Sequence, residues 1–530
     1  MTAEFDYVIV GAGSSGAVLA HRLTEELKTR VCLLEAGGRD SSPLVHVPLG
    51  VAFLSKDPRH TWGLTSTPQT ALDGRVVSIP RGRVLGGSSA INGMIYIRGH
   101  RADYDAWAQA GCTGWGYDDV LPYFRRSEAN QRPGIDTAVH GTDGPLWVSD
   151  LGSPNAADHD FLDAAGQMQL RPCPDFNTPE PEGVGIYQVT QKDGRRHATG
   201  AAFLTPIRER ANLRVVTGAE VSRVILDGKR AVGVAYTQDS QPQEVRARGE
   251  VILSAGAFGS PDLLLRSGIG PGAQVSAFTD LHNDLPGVGA NLQDHVDVMV
   301  ICRSTSRTPW GVSVSALPAR ALDTLKYLVE RKGMFSSNMV EAGGFVRSQP
   351  SEPRPDLQFH FIPARKSHLG RIVEYGHGVS LHTCVLRPDS RGSVTRRRPD
   401  GAPEIDLGLL TADTDMERLL RGVKLAREIL RQPPLARHGL SEILPGAAVT
   451  DDDGLRAHIR AQARTVYHPV GTCAMGRVVD ARLRVHGVQG LRVVDASIMP
   501  TLVSGNTNAP AIMIGEKAAD MIREDARGTA

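Results

Sequence analysis

Charge of one sign, aromatic side chains, paired cysteines and long apolar runs are all scarce in this chain, and each scarcity removes a class of function. With 59 Lys+Arg against 58 Asp+Glu the net charge is +1 over 530 residues, so the broad positive field of a protein that grips nucleic acid through phosphates is missing. Aromatics are 5% of residues, too few for a surface whose main device is stacking bases or sugars. Cys32, Cys112, Cys173, Cys302, Cys384 and Cys473 lie far apart with no Cys-x-x-Cys pair, which indicates neither a zinc site nor a disulfide framework. No stretch approaches the roughly 18 uninterrupted apolar residues of a spanning helix, and the N-terminus has no basic start with an apolar signal core. The expectation is a metal-free cytoplasmic protein without a nucleic-acid partner or a transmembrane segment. Peripheral contact with the inner face of the membrane stays open.

Glycine, by contrast, is plentiful: 57 residues, with 33 prolines, a content that suits a turn-rich α/β chain. At roughly 100 to 200 residues per domain the length predicts two to four structural units.

The opening segment is the most informative. Phe5–Val10 is an apolar strand that runs into Gly11-Ala12-Gly13-Ser14-Ser15-Gly16, and Ala17–Leu23 then has helical spacing. A second strand, Val31–Leu34, ends at Glu35-Ala36. Strand, glycine turn, helix, strand and terminal acid form the first unit of a dinucleotide-binding fold. The glycines allow a tight turn and close backbone approach to a pyrophosphate, the helix N-terminus offers free amides, and Glu35 stands where a carboxylate can accept bonds from ribose hydroxyls. NAD and FAD share this fingerprint, so it does not choose between them.

Three further stretches carry glycine or small residues where backbone could meet a ligand. Arg81–Gly93 contains Gly86-Gly87-Ser88-Ser89 and Asn92-Gly93. Glu250–Gly256 reads as a buried strand ending on a turn, with Ser260 as a cap before a helix whose first residue is Pro261. The block from His468 to Glu516 contains Asp495-Ala496, Gly505-Asn506-Thr507-Asn508-Ala509-Pro510 and a helix expected from Ala511 to about Glu524. Between about Val298 and Arg464 the texture changes to strand-like alternation, as in Asp356–Phe361 and Val379–Leu386, which marks a second domain. Arg396-Arg397-Arg398 reads as a solvated basic loop, with anionic lipid or a redox partner as the sharper alternative.

These four stretches, in this order over nearly the whole chain, resemble the glucose-methanol-choline family of flavin oxidoreductases. The resemblance implies an α/β chain with a Rossmann-type FAD-binding domain and a substrate domain built on a mostly antiparallel sheet with helices. Its segments are 1–155, 196–297 and 465–530 for FAD, and 156–195 and 298–464 for substrate. It implies FAD lined by Gly11, Gly13, Ser14, Ser15, Gly16, Glu35, Ala36, Gly86, Gly87, Ser88, Asn92, Gly93, Val221, Ala255, Gly256, Asp495 and Ala496. Members that tether FAD covalently use a histidine where this chain has Ile91, so FAD is expected to be dissociable.

The same resemblance makes His468 the general base and Asn508 the second polar residue that bonds the substrate oxygen. An alcohol does not release its hydroxyl proton unaided at neutral pH, and imidazole, with an ordinary pKa of about 6.5, suits that task, while flavin N5 accepts the hydride. An amide exchanges no proton, which leaves His468 as the acid-base member of the pair. Cys473 reads as a small buried hydrophobe. His197, His295 and His377 read as loop or domain-contact residues, with His360 and His382 on strands as candidates for the substrate cavity. The wording from Asp495 to Pro510 looks most like bacterial alkanol and polyethylene-glycol dehydrogenases, with choline dehydrogenases close. The expected reaction is oxidation of a primary alcohol to an aldehyde, with the resemblance favouring a quinone or other non-oxygen acceptor over oxygen, between which no motif decides. The alternatives are an alcohol or choline oxidase, a non-redox hydroxynitrile lyase of the same family, or a nucleotide-binding protein without catalysis.

Overall fold

The computed structural model describes residues 4–366 and 374–528. Its first sheet is built around β1 (Glu4–Val10), which lies parallel to β2 (Val31–Glu35) on one side and to the end of the long strand Gln241–Leu253 on the other. β3 (Leu213–Thr217) extends the sheet beyond β2. β4 (Glu220–Asp227) and β5 (Arg230–Gln238) form an antiparallel meander with Gln241–Leu253, called β6, and the short strand Leu491–Val493 adds in parallel to β6. β2 and the second half of β1 are fully buried and mostly apolar, as inner strands of a covered parallel sheet are. α1 (Ser14–Leu23) and the C-terminal helix Asn508–Gly528 pack together there: Ser15 Oγ donates to the Ala511 carbonyl at 2.6 Å, and Glu516, buried, pairs with Arg22 at 2.8 Å and Arg126 at 2.7 Å.

The second sheet is antiparallel throughout its central strands: β7 (Val296–Ser304), β8 (Ala342–Val346), β9 (Leu357–Ile362) and β10 (Gly376–Val385), in the order β7, β10, β9, β8. Alternation sorts its side chains. Val298, Val300, Leu357, Phe359, Phe361, Val379 and Leu381 form one core with helix Ala156–Gln167 and the long helix Asp413–Arg431. Phe161 of the first helix stacks on Phe361 at 4.7 Å and 13°. The opposite face carries Gln358, His360, His382 and Asp297. Such a polar face must look onto a site or water, since these groups are costly to bury unpaired.

Two helix starts differ from the sequence expectation. The helix predicted to begin at Pro261 begins at Gly256 and runs to Arg266 as α2. Pro261 is tolerated inside it because the carbonyl that its missing N–H would have met, that of Ala257, accepts the Thr472 hydroxyl at 2.6 Å instead. The C-terminal helix begins at Asn508 rather than Ala511, which puts Pro510 in the first turn, where its N–H is not needed. The basic run is also corrected at its first member. Arg396 is buried and forms a two-point ion pair with Asp262 at 2.7 and 3.1 Å, so it is structural rather than solvated.

Candidate active site

The four glycine-containing stretches converge. The Gly86 amide donates to the Ala12 carbonyl at 2.9 Å, and the Ser254 amide donates to the Val10 carbonyl at 2.8 Å. The Gly256 amide donates to Asp495 Oδ2 at 2.9 Å. Two positions need glycine outright. Gly11 has φ +100°, and a Cβ there would lie 2.4 Å from the Ser254 carbonyl oxygen; Gly87 has φ +54°, and its Cβ would lie 2.7 Å from the Gly13 Cα. Backbone from positions 11–16, 86–93 and 254–256 thus meets around the start of α1. No side chain caps that start, so its first amides face outward as an anion site.

Glu35 ends β2 as predicted. Its carboxylate accepts the Ala12 N–H at 3.0 Å and the Gly37 N–H at 2.8 Å, and burial pushes its pKa up to about 7. Val221 is the second residue of β4 and lies two residues beyond Ala219, whose amide donates to the Glu35 carbonyl at 2.9 Å, while Ala36 directly follows Glu35. Ser88 Oγ accepts the Gly82 N–H at 3.2 Å, Asn92 receives Arg196 on both its side-chain and backbone oxygens, and the Gly93 carbonyl accepts from Asn338 at 2.8 Å. Asp495 Oδ1 accepts the Ser497 N–H at 2.8 Å and turns the chain at Ala496. Ile91 is buried among aliphatic neighbours. This cradle of backbone amides, with a carboxylate at one end, fits an adenine dinucleotide.

His468 sits on a turn held from several sides. Asp294 Oδ1 accepts its backbone N–H at 2.9 Å, and Asp294 also receives the Thr465 hydroxyl. Tyr467 adopts φ +73°, unusual for a bulky residue. The conformation is held by Thr465 Oγ1, which accepts the Tyr467 N–H at 2.6 Å, and by Arg81, which donates to the Tyr467 carbonyl at 2.8 Å. The Thr472–Ala257 bond ties the same block to α2.

The ring of His468 has one set of partners on each nitrogen. Nδ1 lies 3.0 Å from His295 Nδ1, with the two rings perpendicular, and His295 Nε2 lies 3.0 Å from the Leu386 carbonyl. A carbonyl only accepts, so His295 Nε2 carries hydrogen. Burial holds His295 at a pKa of about 4, so it is neutral and its Nδ1 is bare. The shared proton therefore belongs to His468 Nδ1, and His468 Nε2 has an open lone pair. Burial, then the neighbouring His295, His360 and Arg81, also hold His468 well below the ordinary histidine range.

The residue that meets this lone pair corrects the sequence expectation. Asn506 Nδ2 donates to His468 Nε2 at 3.2 Å, whereas Asn508 accepts the Ser14 hydroxyl at 2.7 Å. Asn508 is the first residue of the C-terminal helix and faces the cofactor cradle; Asn506 lies on the preceding loop and faces the polar wall of the second sheet. Gln358 Nε2 donates to Asn506 Oδ1 at 3.2 Å, which fixes the amide with its N–H₂ toward His468. On the same wall His360 pairs across strands with His382, whose Nδ1 meets Asp297 at 2.7 Å. The His197 ring accepts the Trp147 N–H at 3.1 Å, and the His377 ring meets the Pro309 carbonyl at 2.8 Å and the Ser313 hydroxyl at 3.1 Å, none of them residues of the candidate site. Cys473 is fully buried.

Asn506, His295, Gln358 and Asp294 were thus missed as site residues. Only Asn506 had a readable signal: with Pro510 suited to a first turn, Asn508 already belongs to the helix.

Comparison with known proteins gives a consistent picture. The family models described as GMC oxidoreductase match residues 5–297 and 388–515. An alcohol dehydrogenase (acceptor) from Pseudomonas putida is 47% identical over 98% of this chain and 95% of its own length. An oxygen-dependent choline dehydrogenase from Brucella canis is 40% identical with the same coverage. Among solved structures, pyridoxine 4-oxidase from Mesorbium loti superposes with a TM-score of 0.87 at 31% identity, covering 98% of this chain and 99% of that one. A variant of formate oxidase from Aspergillus oryzae superposes with a TM-score of 0.92 at 25% identity, covering 100% of both.

Proposed function

Because this chain belongs to the GMC oxidoreductases, a family of FAD enzymes, we propose that it oxidises a primary alcohol to an aldehyde with His468 as general base. The electrons pass to a quinone or another non-oxygen acceptor. The observation that carries this reading is the hydrogen-bond relay from Leu386 through His295 to His468, which leaves Nε2 unprotonated beside the Asn506 amide.

The glycine turns at 11–16, 86–93 and 254–256, with Glu35 and Asp495–Ala496, would hold the dinucleotide. The aliphatic side chain of Ile91 forms no tether, so binding is non-covalent. Bound FAD supplies the acceptor for the carbinol hydride. An alcohol oxygen placed between Asn506 and His468 gives its hydrogen to Nε2 and receives the amide N–H. As the carbinol carbon loses its hydride the hydroxyl becomes strongly acidic, so even an imidazole of lowered basicity accepts the proton. The Asn506 N–H donates to that oxygen and stabilises the negative charge it gains as its proton passes to Nε2. Asp294 and the strained Tyr467 turn keep the ring in place, and His295 keeps its tautomer.

The higher identity to an enzyme named for a separate acceptor than to one named oxygen-dependent favours the dehydrogenase reading. The test is anaerobic mixing of holoenzyme with primary alcohols, choline and cyanohydrins, followed by reoxidation with oxygen or a quinone analogue. Bleaching of the flavin by primary alcohols, with faster reoxidation by the quinone, is expected. Aldehyde release from cyanohydrins without bleaching would sink the proposal. His468→Ala slows reduction by at least about a hundredfold, and near-native reduction in that variant would remove His468 from its role.

A further inference from the structure

The helix α3 (Leu317–Glu330) buries Tyr327, half-buries Arg320 and Asp323, and exposes its other side chains. Leu317, Leu322, Leu325, Leu328 and Val329 are each between 52% and 74% exposed. At about 100° per residue they fall, with Pro318 and Ala321, within one arc of about 140°. Val312 and Val314 just before the helix are exposed as well. Among the described residues no other segment exposes so many large apolar side chains.

The helix is anchored on its other side. Tyr327 Oη donates to the Gly194 carbonyl at 3.3 Å, and Arg320 Nη1 donates to the Met334 sulfur at 2.6 Å. The apolar arc therefore faces away from the protein by construction. An apolar groove of about 300 Å³ between Tyr327 and Pro43–Val47 continues it.

Charge distinguishes the occupants. Residues 303–332 hold Arg303, Arg307, Arg320, Lys326, Arg331 and Lys332 against only Asp323 and Glu330, whereas the whole chain is nearly neutral. A helix of 14 residues is about 21 Å long and about 10 Å wide. That is a narrow contact beside the roughly 800 Å² per partner of a standard protein interface, but it is the footprint of a helix lying in the plane of a bilayer. No described helix is long and apolar enough to cross a membrane.

We propose that α3 is a membrane-docking helix, its leucine and valine face set into the headgroup region of a bilayer rich in anionic lipid, with Lys326 at the edge of that face and Lys332 just beyond the helix on the phosphates. Seven residues separate α3 from Asn338, which bonds Gly93 of the cofactor cradle, so docking brings the site close to lipid-soluble molecules. The inference concerns binding alone and does not depend on turnover.

Holoenzyme is centrifuged with vesicles of phosphatidylcholine containing about 30% phosphatidylglycerol, and with pure phosphatidylcholine. The parent protein is expected to sediment with the anionic vesicles. A Leu325→Glu, Leu328→Glu, Val329→Glu variant should bind at least about tenfold more weakly, with unchanged FAD content and alcohol-driven bleaching to show that it is folded. Lys326→Gln with Lys332→Gln should weaken anionic binding about fivefold for each charge removed. Failure of the parent to sediment with anionic vesicles overturns the proposal, as does equal sedimentation of the triple variant. A dimer lost in that variant without vesicle binding would assign the face to a second copy of the chain instead.

Discussion

Asn506 and Asn508 are the same residue type two positions apart, and the fold gives them different partners. Asn506 meets His468 and Gln358, while Asn508 meets Ser14 at the start of α1. Asn506→Ala is expected to lower kcat/KM for the alcohol by about a hundredfold, the scale for losing a donor to developing charge. Asn508→Ala should leave reduction of bound flavin near native and weaken FAD retention several-fold, measured by titrating the stripped protein. The reverse pattern would return the substrate oxygen to Asn508. The lowered pKa of His468 makes a second prediction. A base whose pKa is held below 6.5 stays unprotonated as pH falls through that value and is lost only in more acidic solution. The flavin reduction rate should therefore be level from about pH 8 to below pH 6.5. A protonation step near neutrality, seen by stopped flow, would contradict the buried, neutral histidine pair.

At the scale of elements, a helix and a loop are joined by what proline cannot do. Pro261 leaves the Ala257 carbonyl of α2 without its helical donor, and the Thr472 hydroxyl fills the gap at 2.6 Å. The turn that carries His468 is thereby fastened to the helix at whose start Gly256 reaches Asp495. Thr472→Val keeps shape and removes the donor, leaving a buried carbonyl unpaired at a cost of about 1–3 kcal/mol. The melting temperature should fall by a few degrees, and Thr472→Ser should restore most of it. No change in Thr472→Val would mean that another group satisfies Ala257. The glycine turns and the strands β1, β2, β9, β10 and the end of β6 were legible from local pattern, because a backbone that must turn sharply or bury both faces admits few residue types. The start of α2 was not, since Pro261 is an ordinary helix start by local rules and an internal residue only because Thr472, 211 positions away, replaces the missing bond.

For the whole molecule, the cofactor cradle draws on residues near the N-terminus, the middle and the C-terminus, and the first sheet is assembled from the same three parts. A ligand that binds only when all three are together stabilises the folded chain by mass action, about 2.7 kcal/mol at a hundredfold excess over its dissociation constant. Stripping FAD should lower the melting temperature, and adding it back should restore the loss with a dependence on FAD concentration. A covalently attached flavin would resist the stripping and overturn the non-covalent reading from Ile91. Near-neutral total charge also takes on a local meaning at this scale, because residues 303–332 concentrate basic groups beside an exposed apolar helix while the rest of the chain compensates.

By itself the sequence determined the strand–glycine–helix unit and the other glycine turns, which depend on local rules of turn geometry and periodicity that hold wherever the segment sits. The histidine block near the end of the chain stood out through its resemblance to the GMC family. Only the tertiary structure decided which asparagine faces His468, that His295 sets its tautomer, and that Arg396 is an internal ion-pair partner. Those outcomes rest on side chains 38, 173 and 134 residues apart meeting at 3.2, 3.0 and 2.7 Å, and no local pattern encodes such a meeting.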